Sequence, residues 1–221
     1  MTADAVHHGQ AGSAASVQYE IRGDLKLIAD MIEPGSRVLD VGCGDGALLT
    51  YLVKNLDVDG RGIELSQAGV NATVAQGLSV VQGDADTDLA AYPTQAFDYV
   101  VLSQTLQATR NPKQVVSDLA RIGAKAIVSF PNFGYWQVRW KLLLGGRMPQ
   151  TGILGEAWFE TENIHLCTIL DFIDLCKELG IVINRGISVN HQGRATRFSN
   201  SGWVENLFGE QAVFLLSREN S

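Results

Sequence analysis

Arg37-Val-Leu-Asp-Val-Gly-Cys-Gly-Asp-Gly46 is the stretch that decides the fold of this chain. It starts as a short apolar strand, passes through three glycines at alternating positions, and continues directly into a helix-like pattern over 47–53. Glycines let the backbone turn sharply and approach a ligand closely, and the first N–H groups of the following helix point at that ligand. The G-x-G-x-G spacing differs from the dinucleotide and Walker motifs. The turn therefore predicts a nucleotide-type site, and the alternative is a loop that only requires positive φ angles.

Strand and helix patterns alternate along the chain beyond this turn. Ser66 is the predicted N-cap of one helix, and Asn111-Pro112 opens another. Short apolar strands alternating with helices favour a parallel α/β sheet with right-handed crossovers and helices on both faces. A further helix is predicted over 19–32, before the glycine turn. Its charged residues Arg22 and Asp24 could line a pocket, but exposed helix charges are favoured. The predicted strands are 37–43, 60–65, 78–82, 97–102 and 125–130.

Two acidic residues follow the glycine turn at the carboxyl ends of neighbouring strands. Glu64 ends the second strand, about 20 residues beyond the turn, where a carboxylate can accept hydrogen bonds from both ribose hydroxyls. Asp84 ends the third strand, where it could accept a hydrogen bond from the exocyclic amine of adenine. Ligands of open α/β sheets bind beyond these strand ends, so the two acids and the turn together predict a nucleoside-cofactor site.

Composition and charge restrict the class of protein. A chain of 221 residues defaults to one domain, which we expect over 17–221, and the small polar residues of 1–16 predict a disordered tail. The net charge of −7 argues against a nucleic-acid surface. Three cysteines form neither a disulfide framework nor a zinc ligand set, so no metal is expected and the free thiols suit the cytoplasm. The sequence shows neither a membrane span nor a signal peptide.

The glycine motif closely resembles the first motif of class I S-adenosylmethionine-dependent methyltransferases, and Gly62-Ile-Glu-Leu-Ser66 resembles their second. The resemblance implies a Rossmann-like, seven-stranded, mostly parallel sheet with an antiparallel last strand. The last two strands would be 182–190 and 211–217, joined by a segment in which His191 and 194–197 are predicted as loop. It also implies that S-adenosylmethionine or S-adenosylhomocysteine binds here, with Asp40 near the amino group, Glu64 on the ribose and Asp84 on the adenine. The implied cofactor-binding residues are Asp40, Gly42, Cys43, Gly44, Gly46, Glu64, Leu65, Asp84, Ala85, Ser103 and Gln104.

Several later motifs strongly resemble the MetW family of methionine-biosynthesis proteins. They are Ser103-Gln-Thr-Leu-Gln107, Ser129-Phe-Pro-Asn-Phe133, Gly145-Gly-Arg-Met-Pro149 and Asn163-Ile-His-Leu-Cys-Thr168, and the chain departs from the family pattern over 152–162. The resemblance implies an accessory partner of homoserine O-acyltransferase. We add the hypothesis that a cofactor pocket on such a partner senses the end product of the pathway. A homodimer is also compatible with the sequence. The alternative function is a genuine methyltransferase acting on a small molecule.

The sequence does not identify a catalytic residue. Gln104 and Gln107 can orient a ligand but cannot remove a proton at neutral pH. His165 is the one histidine near the predicted ligand edge, and a structural hydrogen-bonding role is favoured over a general base. The aromatic and aliphatic segment 133–144, with Arg139, Lys141 and Arg147, predicts a helix. This helix could cover an acceptor pocket, dock another protein, or pack on the sheet as an ordinary helix.

Overall fold

The computed structural model describes residues 21–152, 154–190, 194–198 and 202–219. The predicted tail, 1–16, lies outside the described residues. Eight strands within the described residues form one sheet, in the spatial order β3-β2-β1-β4-β5-β8-β6-β7. They are β1 (Arg37–Val41), β2 (Asp59–Glu64), β3 (Ser79–Gln82), β4 (Phe97–Ser103), β5 (Gly123–Pro131), β6 (Ile181–Val189), β7 (Ala195–Arg197) and β8 (Gln211–Arg218).

The first five strands run parallel, and β8 inserts antiparallel between β5 and β6. The predicted class I methyltransferase topology with an antiparallel last strand is thus confirmed. One strand exceeds the predicted seven, because β7 pairs with the open edge of β6, where Ile187 lies opposite Arg197. The loop prediction was therefore wrong for 195–197 and holds for Arg194, and His191 lies outside the described residues.

Seven α-helices in the described parts of the chain accompany the sheet. They are α1 (Gly23–Ala29), α2 (Ala47–Leu56), α3 (Gln67–Ala75), α4 (Pro112–Ile122), α5 (Trp136–Gly145), α6 (Ile169–Glu178) and α7 (Trp203–Phe208). The helix predicted over 19–32 is shorter, since α1 begins at Gly23 and ends at Ala29. None of the described helices is both long and apolar enough to cross a membrane.

Two apolar cores lie on the two faces of the sheet, as alternating βα units require. Residues of α1 and α2, such as Ile28 and Leu52, pack with Val101 of β4 in one core. Residues of α4 and α6, such as Leu119 and Phe172, pack in the other. Sandwiched between helix layers, β1 and β4 are almost fully buried, which fixes where their carboxyl ends lie.

Side-chain caps set the starting points of the helices that follow the sheet edge. The hydroxyl of Ser66 accepts a hydrogen bond from Gly69 N at 3.0 Å, and the side chain of Asn111 accepts one from Gln114 N at 3.3 Å. Both caps confirm the sequence predictions. Thr168 and Asp171 form a capping box at the start of α6. These caps place the loops after β2, β4 and β5 at one edge of the sheet.

Asn132, which directly follows β5, joins three segments in the interior. Its side-chain amide donates to the carbonyls of Asn206 and Gly209, at 2.9 and 2.7 Å. Its side-chain oxygen accepts from Gly134 N at 2.9 Å and from Ile169 N at 3.2 Å. The residue is 1% exposed, so water cannot replace these partners.

We therefore expect Asn132→Ala to lower the free energy of unfolding by about 2 to 4 kcal/mol, because it leaves buried carbonyl groups without donors. Asn184→Ala, at an exposed position of β6, is the matched control and should change stability by less than about 0.5 kcal/mol. Urea unfolding followed by circular dichroism measures both. Equal, small losses for the two variants would contradict the structural role of Asn132.

Candidate functional site

The glycine loop between β1 and α2 is a sharp turn built from left-handed residues. Gly42, Gly44 and Gly46 all have positive φ angles, of 72°, 56° and 79°. A Cβ atom on Gly42 would lie 2.6 Å from the hydroxyl oxygen of Thr105, so a side chain would also displace the segment after β4. The need for glycine predicted from the sequence is therefore both conformational and steric.

Neighbouring elements hold this loop in place. Gly44 N donates to the carboxylate of Glu64 at 2.9 Å, and the hydroxyl of Thr73 in α3 donates to Gly44 O at 3.0 Å. Gln76 at the end of α3 donates to the carbonyl of Asp45. The loop is thus fixed from β2 and α3, which gives it one shape before any ligand arrives.

A cavity of about 370 Å³ opens between the glycine loop and α1, and we name it the glycine-loop cavity. Asp40 lies at its floor, 2% exposed, and none of the described residues forms a hydrogen bond with its carboxylate. Arg22 lines the same cavity from the start of α1 and pairs at 3.1 Å with Asp24. A buried carboxylate without a partner is costly, so this acid is suited to receive a cation.

The titration of Asp40 follows from its surroundings. Burial, and secondarily the negative charge of Glu64, raise the pKa of Asp40 from its ordinary 3.8 to about 7. Burial likewise raises the pKa of the Cys43 thiol to about 12, so this residue is not a thiolate nucleophile at neutral pH. Cys43 and Gly42 line the cavity through their place in the loop.

Glu64 and Leu65 stand at the carboxyl end of β2, next to the loop. The two carboxylate oxygens of Glu64 accept hydrogen bonds from Gly44 N and from Ser66 N, at 2.9 and 2.8 Å. Each oxygen keeps a second lone pair that can accept a ligand hydroxyl. Leu65 is 64% exposed, as expected for a residue that offers an apolar surface to a ligand.

Asp84 lies beyond β3, but its carboxylate already has partners. It is paired with the guanidinium of Arg110 and accepts from Asp86 N at 2.9 Å. Asp86 in turn accepts from Arg110 N at 2.8 Å. Ala85 is half-buried and packs against the core. A base that bonds to Asp84 must therefore compete with Arg110.

At the end of β4, Ser103 faces the cavity, whereas Gln104 contacts other protein side chains. Ser103 lines the cavity, and its hydroxyl lies 3.1 Å from that of Ser129. The side chain of Gln104 donates to Asp24 at 2.7 Å, and Gln211 donates to the same oxygen at 3.4 Å. Asp24 has a side chain only 10% exposed. The prediction of an ordinary exposed helix charge was wrong for Asp24, whereas the side chain of Arg22 is 65% exposed as expected and also lines the cavity.

Gln107 and His165 hold the backbone rather than a ligand. Gln107 is 1% exposed, and its amide donates to Pro131 O at 2.9 Å. The backbone carbonyl of Gln107 accepts hydrogen bonds from Ile164 N and His165 N, at 2.8 and 3.0 Å. His165 Nε2 lies 3.3 Å from Arg110 O, which fits the structural role favoured from the sequence. The side chain of Gln107 is therefore buried in the scaffold, where its amide holds the end of β5.

The segment after β5 forms a helix as predicted, but the helix is not packed like an ordinary one. In α5, only Val138 is buried, whereas Trp136 and Trp140 remain 43% and 57% exposed. The segment also does not line the glycine-loop cavity. The structure thus contradicts the ordinary-helix alternative.

Sequence reasoning missed Thr73 and Arg110 as residues of this site, and it gave Arg22 as a pocket residue only as the less favoured alternative. Arg22 precedes the glycine motif by 15 positions or more and Arg110 follows Asp84 in a separate loop. No local spacing signals either residue, because only the tertiary fold brings them to the edge. Thr73 could have been noted as a polar residue on the inner side of α3, facing the loop.

The charged and hydrogen-bonding groups at the carboxyl edge of the sheet fit a nucleoside that carries an amino-acid group. Asp40 and Arg22 offer opposite charges to an ammonium and a carboxylate, and Glu64 offers acceptors to a pair of hydroxyls. Exposed Leu65 offers an apolar surface to a base. Within the described ranges, no cluster of three or more His, Cys, Asp or Glu side chains could hold a metal ion.

Comparisons with known proteins show the family of this chain. A family model described as "Methionine biosynthesis protein MetW" matches residues 22–216. The bifunctional methionine biosynthesis protein MetXA/MetW of Rhodopirellula baltica is 35% identical over 207 residues, covering 89% of this chain and 33% of that protein. The chain therefore spans about a third of the length of this curated relative.

Solved structures show the fold. An S-adenosylmethionine-dependent methyltransferase from Thermotoga maritima, described as a possible histamine N-methyltransferase, superposes with a TM-score of 0.64 at 14% identity, covering 89% of this chain and 88% of that one. The [4+2]-cyclase SpnF gives a TM-score of 0.62 at 17% identity, covering 89% and 81%. At these identities the likeness shows a class I methyltransferase fold and leaves the activity to the site.

Asp40 makes the stability of the chain depend on pH. Between pH 4 and 7 the folded chain keeps a proton on Asp40 that the unfolded chain releases, so this group lowers the free energy of unfolding as pH rises. We expect Asp40→Asn to be more stable than the wild type at pH 8 by roughly 1 to 3 kcal/mol and about equal at pH 4. Urea unfolding at both pH values tests this, with exposed Glu162→Gln as control. A constant difference would refute the buried, protonated carboxyl.

Proposed function

Because this chain belongs to the MetW family of methionine biosynthesis proteins, we propose that it binds S-adenosylmethionine or S-adenosylhomocysteine and acts as an accessory partner of homoserine O-acyltransferase. The cofactor would lie along the carboxyl edge of β1, β2 and β3. A cytoplasmic location is part of the proposal, because Cys43, Cys167 and Cys176 are free thiols.

The observation that carries the proposal is the pair of opposite charges in the glycine-loop cavity. Asp40 is buried and accepts no hydrogen bond from the described residues, and Arg22 lines the same cavity. The methionine end of the cofactor carries an ammonium and a carboxylate, so Asp40 would take the first and Arg22 the second. A bound ammonium favours the charged form of Asp40 and offsets the cost of its burial.

The other residues inferred from the sequence keep their proposed roles. Glu64 would accept hydrogen bonds from the ribose hydroxyls on its free lone pairs, while it continues to hold Gly44. Leu65 and Ala85 would contact the adenine, and Asp84 would accept from its amine once Arg110 moves away. Ala47 and Leu48, at the start of α2, line the same cavity.

The partner role is supported by the family and by the relative from Rhodopirellula baltica. In that protein, a region similar to this chain belongs to one polypeptide with a name that combines MetXA and MetW. Covalent joining keeps two domains at a high effective concentration. We propose that this chain reaches the corresponding acyltransferase as a separate partner and senses the end product of the pathway through its cofactor site.

Methyl transfer to a small molecule is the alternative, and the groups beside the cavity favour it less. Gln104 and Gln211 are both bonded to Asp24, so they are engaged in the scaffold. Tyr135 is buried, and its burial together with Glu210 raises its pKa, which keeps the phenol neutral. None of these three groups is poised as a general base.

The first test measures homoserine acylation by the acyltransferase of the same organism, with and without this chain. We expect the chain to raise the rate several-fold, and S-adenosylmethionine to change that increase. Glu64→Ala, checked for folding by circular dichroism, should still activate but no longer respond to the cofactor. An acylation rate that is the same with and without the chain would contradict the partner role. The acceptor of a methyl transfer would then be sought.

A second test concerns Arg110, which occupies the carboxylate proposed to meet the adenine. We expect Arg110→Ala to bind S-adenosylhomocysteine about two- to five-fold more tightly, because a competing exposed ion pair is removed. Lys113→Ala, which removes the neighbouring exposed ion pair with Glu178, should leave the affinity unchanged. Isothermal titration calorimetry compares the two variants. Weaker binding by Arg110→Ala would mean that Arg110 contacts the ligand itself.

A further inference from the structure

Helix α5 carries an apolar face that the described chain leaves uncovered. Trp136, Trp140, Leu143 and Leu144 follow the i, i+4, i+7, i+8 spacing and therefore share one side of the helix. Leu143 and Leu144 are 76% and 67% exposed. Four large apolar side chains on one exposed stripe are characteristic of an interaction surface rather than of a free monomer surface.

The apolar surface continues beyond the helix into two hollows that share a wall. One, of about 440 Å³, lies between Trp140 and Leu144 of α5 and the turn at Met148. The other, of about 860 Å³, extends from Met148 to Trp158 and Phe159. Trp158 and Phe159 are both exposed and contact each other edge to face. We call the α5 stripe and these hollows the α5 surface.

Both ends of this surface are fixed to the body of the protein. Before α5, Gly134 N donates to the buried Asn132, and Phe133 N donates to Cys167 O at 3.2 Å. After the hollows, the backbone of Ile164 and His165 donates to Gln107 O. A surface anchored in this way is pre-organised, which lowers the entropic cost of binding a partner.

The charges around the α5 surface indicate the chemistry of the partner. Arg139 and Lys141 donate to the backbone carbonyls of Gly134 and Gln150, and Arg147 lines both hollows. None of these three cations forms an ion pair with a carboxylate of the described residues. A complementary surface would present apolar pockets with carboxylates at their rim.

The net charge of the chain favours a partner protein over a membrane or a second copy of the chain at the α5 surface. With a net charge of −7, the chain as a whole is repelled by anionic membranes and by a second copy of itself. A partner protein whose carboxylates lie only at its contact with the α5 surface avoids this electrostatic repulsion. The α5 surface also shares no lining residue with the glycine-loop cavity, so a partner and a cofactor can be bound together.

We propose that the α5 surface is the docking site for the partner protein, with Trp140 and Leu143 as central anchors and Arg147 at the rim. This inference rests on the proposed function, which names that partner as the acyltransferase. Aromatic residues in the centre and arginine are the residue types that most often dominate binding energy.

The test uses the full chain and the acyltransferase of the same organism. We expect Trp140→Glu to weaken the complex at least ten-fold by surface plasmon resonance and to abolish the increase in acylation rate. Trp140→Phe should retain most of the affinity. Trp203→Glu is the matched control, because Trp203 is 58% exposed against 57% for Trp140 and lines neither hollow. Circular dichroism and S-adenosylhomocysteine binding verify that each variant is folded.

The outcomes separate this inference from the proposed function. If the wild-type chain forms a complex and Trp140→Glu binds equally well, the docking site is wrong and the partner role stands. If the wild-type chain neither binds nor activates the acyltransferase, both fail. Trp140-dependent sedimentation with phosphatidylglycerol vesicles would replace the partner by a membrane. A dimer of the chain alone that Trp140→Glu dissociates would assign the surface to a second copy.

Discussion

The hydrogen bond from Gly44 N to the carboxylate of Glu64 is the interaction on which the site depends. It ties the left-handed turn after β1 to the end of β2, and the hydroxyl of Thr73 supports the same residue from α3. The turn determines where α2 begins and how Gly42 meets Thr105 after β4. The parallel pairing of β1 and β2, with Asp40 opposite Gly62, brings Asp40 and Glu64 to one edge, and the Gly44–Glu64 hydrogen bond fixes the turn beside them.

The chain maintains an unfavourable charge arrangement at the floor of its cavity. Asp40 is buried close enough to Glu64 for both burial and repulsion to raise its pKa. An Asn would remove this cost, yet the chain keeps an acid, as proteins do where function outweighs stability. The same reasoning applies to α5. Its exposed tryptophans would lower the solubility of a monomer, but they can contribute binding energy in a complex with another protein.

Local sequence signals were sufficient for the sheet, the glycine turn and the caps at Ser66 and Asn111, because these depend on neighbours within a few positions. They were insufficient for Arg22, which reaches the cavity only because α1 packs against α2, and for Arg110, which meets Asp84 across a loop. Asp24 was wrongly expected to be exposed, because polarity alone does not reveal burial. The apolar pattern of α5 predicted a helix, but a pattern cannot say whether its face meets the sheet or another molecule. The edge strand β7 pairs over three residues, too few to give a strand signal.

A crystal structure of the full chain with S-adenosylhomocysteine tests the central claim most directly. The account predicts the amino group of the ligand within hydrogen-bond distance of Asp40, its carboxylate at Arg22, its ribose at Glu64, and the guanidinium of Arg110 moved away from Asp84. A ligand bound elsewhere, or bound at the glycine loop with Asp40 and Arg22 untouched, would contradict the assignment of the cavity. The position of the four side chains decides the matter in one experiment.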